Sequence, residues 1–552
     1  DVFAKSNDDE TNAAGVVLGD FSGEIKNSKN ASIKAVSEGN KLSTAFGISA
    51  VSSENGSLVN EGSINVSAKA KDVAFGVATE FWGWYENDEY SLLDGSFSNS
   101  GTINAVAQSD KYAVASGLST DALVEDSTIT NSGVISSNAV SKDVKKAFAY
   151  GLVGSELVNS TITNSGTIEA KVNGKLNNQG FSLDYEDTSG STITNEKTGK
   201  LYGNIYLGDN GQFVNKGFVS LPYNANALNN IQYLDDDGKL EGTRKGGVYI
   251  SNLVNSGTIE IGAFKNSNSK IENTQILTKN ATFNAGSKLN VRVEAGSKAF
   301  VKGDKLEQVI SAANSLTINE LKVNSATLEF EEVEVKPLAA NNNVKYIDLV
   351  VSKVNAFEEA GNTQGNATNV SQVLNKLRTD PNLGSLVAKL DTLNAADLNR
   401  ALDTLTPTIA AAISNTSSQI STSVLNVVSS RNRLGANSGD EMVLGNSTLW
   451  TKLYGSLGEQ KEKDGINGFD LKTYGLGLGY ENEYKDGQLL GTGLFYTNAN
   501  VDINGVSQKT DVDAYSLALY GNNLLKDNKT TIYYQGAYTW QKNESKSIYS
   551  VR

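Results

Sequence analysis

Asn164-Ser165-Gly166-Thr167-Ile168-Glu169-Ala170-Lys171-Val172 decides how this sequence folds. Asn-x-Gly is turn chemistry, and the β-branched alternating run behind it reads as a strand with one buried face. The same phrase stands at Asn60-Glu61-Gly62-Ser63-Ile64, Asn99-Ser100-Gly101-Thr102-Ile103, Asn131-Ser132-Gly133-Val134-Ile135 and Asn255-Ser256-Gly257-Thr258-Ile259. Looser copies sit at Asn195 and at Asn215-Lys216-Gly217-Phe218-Val219.

The first four strong copies follow one another at 39, 32 and 33 residues. A second phrase is interleaved with them: Ala45-Phe46-Gly47-Ile48, Ala74-Phe75-Gly76-Val77 and Tyr150-Gly151-Leu152. Repeats of about 20 to 50 residues signal a solenoid or array. A unit of this size cannot bury its apolar stripe alone, but stacked rungs share one core, and asparagines at the turns can form a ladder. The expectation is an all-β chain whose residues 1–355 form a right-handed parallel β-helix. Residues 260–355 keep the strand pattern, as in Ser287-Lys288-Leu289-Asn290-Val291-Arg292-Val293, and read as its closing end.

Beyond the solenoid the period changes. Residues 356–368 carry Gly361 and Gly365 among Asn and Thr and read as a connector. Val370, Val373, Leu374 and Leu377, then Leu390, Leu393, Leu398 and Leu402, follow a helical period broken at Pro381 and Pro407. The last helix, Ile409 to about Arg431, is filled with Ser, Thr, Asn and Gln. It is too polar for lipid and suits a wet, protein-lined tube. A short helical linker is therefore expected over 356–440.

Residues 441–552 read as the last region, and after Asn446 they alternate with period two in segments of transmembrane-strand length: 448–459, 470–484, 488–502, 510–522 and 530–541. Tyr474, Leu476, Leu478 and Tyr480 share one face, with Gly475, Gly477 and Gly479 on the other. Tyr515, Leu517 and Leu519 likewise oppose Ser516 and Ala518. Apolar residues bounded by Tyr on one face, and small or polar ones on the other, suit lipid outside and water inside. Those seven residues are the expected membrane-facing set. Eleven of the 22 Tyr fall here, as interfacial girdles require, and Asp486-Gly487 and Asn504-Gly505 supply turns.

Composition narrows the function. A net charge of −14 argues against nucleic acid, which needs a basic stripe. Zero Cys removes disulfides and thiolate chemistry, and suits export through an oxidising compartment. Zero His removes the commonest general base and metal ligand, and with them any Ser-His-Asp device. No enzyme activity, cofactor or metal is expected.

Ala401-Leu402-Asp403-Thr404-Leu405-Thr406-Pro407 resembles the linker segment of autotransporters, the type V secretion family. Leu449-Trp450-Thr451-Lys452-Leu453-Tyr454-Gly455-Ser456 and Tyr474-Gly475-Leu476-Gly477-Leu478-Gly479-Tyr480 resemble its first barrel strands. Over residues 369–552 the resemblance is specific. Before that it is architectural, with rungs similar to the adhesin-like passengers of Campylobacter autotransporters. It implies an antiparallel barrel of about twelve strands with the polar helix inside, set in outer-membrane lipid by the barrel assembly machinery, and a passenger at the cell surface. Five strands are read before Arg552, so the sequence is expected to be a fragment holding the N-terminal part of the barrel.

For the passenger the expectation is adhesion to a host-cell, bacterial or matrix receptor. Phe81, Trp82, Trp84, Tyr85 and Tyr90 are the candidate ligand-binding residues, because half of the Trp residues gather in one loop absent from neighbouring repeats. The rival is a carbohydrate-active passenger of lyase or glycosidase type working through carboxylates or calcium. Asp235-Asp236-Asp237-Gly238 lacks calcium-loop spacing and reads as a turn, and Glu329, Glu331, Glu332 and Glu334 read as strand-face charges. Asn432 and Asn437 lie where some autotransporters cut their own linker, but form no Asn-Asn pair.

Overall fold

The stacking expected from the repeats is present rung by rung. The computed structural model describes residues 2–5, 9–83, 90–224, 229–234, 240–338, 341–363, 365–378, 380, 383–405, 408–431, 441–463, 467–506, 508–526 and 529–547. The chain divides into two units, Asp1–Asn355 and Ala356–Arg552.

In the first unit, Ile33, Ile64, Ile103, Ile135, Ile168, Leu201, Val219, Ile259, Leu289 and Val323 are successive partners in one parallel column. From Ile64 to Leu289 none is more than 2% exposed. A second parallel column runs Leu58, Phe97, Ile129, Ile162, Ile193, Phe213, Leu253 and Ala281. Fully burying each Ile or Leu contributes about 1.5–3 kcal/mol, so a rung is stable only once its neighbours are in place.

The two interleaved phrases interlock across this core. A β-carbon at Gly117 would lie 2.3 Å from Ile135 Cγ2, and one at Gly151 would lie 2.3 Å from Ile168 Cγ2. The Ile of one phrase fills the space that the Gly of the other leaves.

The asparagines form the expected ladder. Asn27, Asn60, Asn99, Asn131, Asn164, Asn195, Asn215 and Asn255 are buried, and each Nδ2 donates to the Oδ1 of the next at 2.7–2.9 Å. Behind it the turns press together: a β-carbon at Gly133 would sit 2.0 Å from the carbonyl oxygen of Gly101. Glycine is required there by close backbone approach.

The closing end differs from a simple continuation of rungs. Parallel pairing ends at Lys305–Ile318 and Lys322–Asn324, and Asn341–Val354 then pairs antiparallel with Lys305–Ile318. Reversing direction covers edge groups that a further parallel strand would otherwise template. An antiparallel hairpin, Asn229–Leu234 with Leu240–Gly246, interrupts the rungs; Asp235 to Gly238, at its tip, lie outside the described residues.

The second unit begins with short helices, Phe357–Ala360, Gly365–Leu377, Gly384–Val387 and Ala395–Thr404. Phe357, Ala367, Val387, Leu390, Leu393, Leu398, Ala401 and Leu402 make their core, with Leu374 and Leu377 partly buried against it. Val373, expected on the buried face, is 57% exposed; it stands one residue before Leu374, about 100° round a helix of 3.6 residues per turn, and Leu374 takes the inward position. Arg378 caps the cluster, its guanidinium 3.8 Å from the Phe357 ring centroid and 2.8 Å from Asp391.

A 24-residue helix, Thr408–Arg431, follows, and then one antiparallel sheet: Glu441–Leu444, Ser447–Gln460, Phe469–Lys485, Gln488–Ile503, Gln508–Leu524 and Thr531–Ser547. Six described strands stand where five were read. The extra one is four residues joined to its neighbour through Gly445 at φ +64°, too short to show alternation. Asp486-Gly487 and Asn504-Gly505 are turns, with Gly487 and Gly505 at positive φ.

Candidate functional site

On the solenoid flank, Trp82 is 47% exposed. Its indole is held in place: Nε1 donates to Ser49 Oγ at 2.7 Å, and the ring lies 6.3 Å from Phe46. Phe81, beside it among the candidate ligand-binding residues, is fully buried and stacks on Phe21 at 6.4 Å. Phe81 is the last residue of the strand Val73–Phe81 and keeps its ring in the core, whereas Trp82 stands just beyond the strand's end. Tyr90 is half-buried at the start of Tyr90–Leu93. Trp84 and Tyr85 lie outside the described residues, as do Asn432 and Asn437. Glu329, Glu331, Glu332 and Glu334 are exposed, with Lys353 3.6 Å from Glu329.

In the C-terminal sheet the two faces differ sharply. Tyr474, Leu476, Leu478, Tyr480, Tyr515, Leu517 and Leu519 are all exposed, from 39% to 60%. Leu449, Leu453, Leu457, Leu490, Leu494 and Tyr496 share that outer surface by register. No described helix is long and apolar enough to cross a membrane, which says nothing of strands.

The inner face is not lined only by small groups. Gly477 and Gly479 lie under large rings: a β-carbon at Gly479 would be 2.2 Å from Trp450 Cζ2, and one at Gly477 would be 2.6 Å from Phe495 Cε1. Glycine in these strands therefore seats inward aromatics rather than exposing backbone to water. Trp450, Phe495, Ala518 and Tyr520 pack against Val424, Val427 and Val428 of the long helix.

That helix lies against five of the strands. Ala412, Thr416, Ile420, Val424 and Val428, spaced by four, are fully buried and form its packed stripe. Its polar residues bond to the sheet: Ser417 Oγ donates to Gln541 at 2.9 Å and Ser429 Oγ to Gln535 at 2.8 Å. Beside it a cavity of about 530 Å³ is lined by Gln419, Thr422, Ser423, Ser456 and Glu459.

At the helix C-terminus sits a network that sequence reading missed. Arg431 donates to Glu441 at 2.8 Å and to Glu481 at 2.5 Å, and Glu481 also accepts from Tyr520 at 2.8 Å. Trp450 Nε1 donates to Tyr520 at 2.7 Å, and the guanidinium lies 5.6 Å from the Trp450 ring. Arg431 and both carboxylates are largely buried. The signal available was a lone Arg ending an otherwise uncharged helix, where a cation also complements the helix dipole.

Comparison with known proteins bears on this unit directly. Residues 449–552 match the family described as the autotransporter β-domain. The C-terminal sheet is an autotransporter β-domain. The chain is similar to outer membrane protein B of Rickettsia prowazekii, at 23% identity over 54% of this chain and 18% of that protein. It is also similar to an extracellular serine protease of Serratia marcescens, at 23% identity over 67% of this chain and 40% of that protein. The chain thus spans less than half the length of either relative. No solved structure matches significantly.

The β-domain match and the relatives bear on where the chain is located. The β-domain belongs to the outer membrane and the β-solenoid is the exported surface passenger. The long polar helix is the segment that precedes the β-domain strands in the chain.

Proposed function

We propose that this autotransporter displays an adhesive passenger, which engages a receptor on host cells, other bacteria or matrix. Trp82 carries the reading. A large aromatic, half-exposed and pinned through its indole nitrogen, offers contact area at little cost in side-chain freedom, which is how aromatic anchors contribute to binding. The exposed apolar face containing Tyr474, Leu476, Leu478, Tyr480, Tyr515, Leu517 and Leu519 supports contact with lipid in the same reading.

The Serratia relatives are named for proteolysis. The absence of His from these 552 residues leaves no Ser-His-Asp triad to assemble within them, and this supports adhesion over proteolysis here.

Cells expressing the protein should bind target cells or matrix, and deletion of residues 1–355 should abolish binding; unchanged binding would refute the adhesive role. Trp82→Ala should weaken binding by about 10-fold or more, the scale of an aromatic hot spot. The far-ultraviolet spectrum should stay unchanged, because the ring lies on the flank rather than in the core.

A further inference from the structure

The turn that follows the asparagine column opens, in the C-terminal half of the solenoid, into a groove of about 570 Å³ lined by Lys197, Lys200, Lys216, Phe218 and Lys288. Its cations are stacked by the fold. Lys200, Phe218, Thr258, Lys288 and Lys322 are successive partners in one parallel column. At the same register earlier rungs hold Ser32, Ser63, Thr102, Val134 and Thr167, with no charge. The row is therefore local, and it stands on a chain of net charge −14.

Nearby acids neutralise only part of it. Lys216 is paired with Glu196 at 3.0 Å, and Glu260, on the same face, is engaged by Arg292. Among the described residues no carboxylate pairs with Lys197, Lys200 or Lys288. Unpaired ammonium groups gathered in a concave surface repel one another, and an anion relieves that repulsion.

We propose that this groove binds a sulfated polysaccharide lying along the solenoid axis. Rungs repeat at about 4.8 Å, which puts Lys200 and Lys288 about 14 Å apart along the axis. A linear anionic chain can meet both, while a single small anion cannot. Lysine is a compact point charge without the planar fork that arginine sets against carboxylates, so the row suits tetrahedral, fully ionised sulfates. Phe218, half-buried beside Tyr202 at 5.8 Å, offers an apolar ring to the C–H face of a sugar. Single-stranded nucleic acid would need successive stacking platforms, and the groove holds one ring. The inference rests on surface display of the passenger and not on adhesion through Trp82.

The test uses the full chain in detergent and four probes: a heparan sulfate oligosaccharide, its desulfated form, a carboxylate-only polyuronate and single-stranded RNA. The sulfated chain should bind most tightly. Lys200→Glu with Lys288→Glu should weaken it by about 10-fold or more. Lys69→Glu with Lys145→Glu, the same charge change at exposed positions elsewhere, should leave it within about 2-fold. Trp82→Ala should leave it unchanged even where cell adhesion is lost, which separates this site from the adhesive reading. Equal binding of the desulfated chain, the polyuronate or RNA would overturn the assignment, as would equal effects of the two lysine pairs.

Discussion

Asn131→Leu is expected to destabilise the central rungs of the passenger by about 2–4 kcal/mol. Asn131 stands in the middle of the ladder, accepting from Asn99 at 2.7 Å and donating to Asn164 at 2.8 Å and to the Thr167 carbonyl at 3.2 Å. Leucine fills the same space but leaves the Asn164 oxygen and the Asn99 amide without their ladder partners in a buried site. An orphaned buried polar group costs about 1–3 kcal/mol, and hydrogen bonds in a chain strengthen one another, so losing one weakens both sides. Hydrogen exchange of the full chain should show lost protection over residues 99–167. Ser132→Ala, one position on and exposed, should stay within about 0.5 kcal/mol of the parent. Equal protection in the two variants would mean that the ladder decorates the solenoid without stabilising it.

Arg431→Met should cost the β-domain about 3–5 kcal/mol, because it strands Glu441 and Glu481 as uncompensated buried carboxylates. The expected reading is a lower urea midpoint of the detergent-solubilised chain, with the fluorescence of Trp450 shifting as its neighbours loosen. Adding Glu441→Gln and Glu481→Gln should return part of the loss, since a neutral amide is far cheaper to bury than an unpaired charge. If the single variant matched the parent, the helix would be held by its packed stripe alone.

The parts of this fold that were legible share one property: a local residue pattern tied to a local geometry. Asn-x-Gly before an alternating run announced the central rungs, because the turn needs glycine and the strand needs an inward Ile. The tyrosine-bounded faces of the C-terminal strands were legible for the same reason. What was not legible depended on partners distant in sequence. Gly477 and Gly479 look like lumen-facing spacers until Phe495 and Trp450 are laid over them. Phe81 and Trp82 are adjacent and aromatic, yet the strand ends between them, with one buried and the other exposed. Arg431 meets Glu481 across 50 residues, and the antiparallel closure by Asn341–Val354 follows from a pairing choice that strand propensity does not encode. The lysine column is visible only once the register sets Lys200 and Lys288 in one line.

The central claim is that the β-domain carries the solenoid to the cell surface, and the absence of native cysteine makes it directly measurable. A single cysteine at the exposed passenger position Val17, which is 71% exposed, can be probed in intact cells with a membrane-impermeant maleimide. The account predicts labelling without lysis, lost when residues 441–552 are deleted. Labelling that appears only after lysis, with the β-domain intact and inserted, would contradict it.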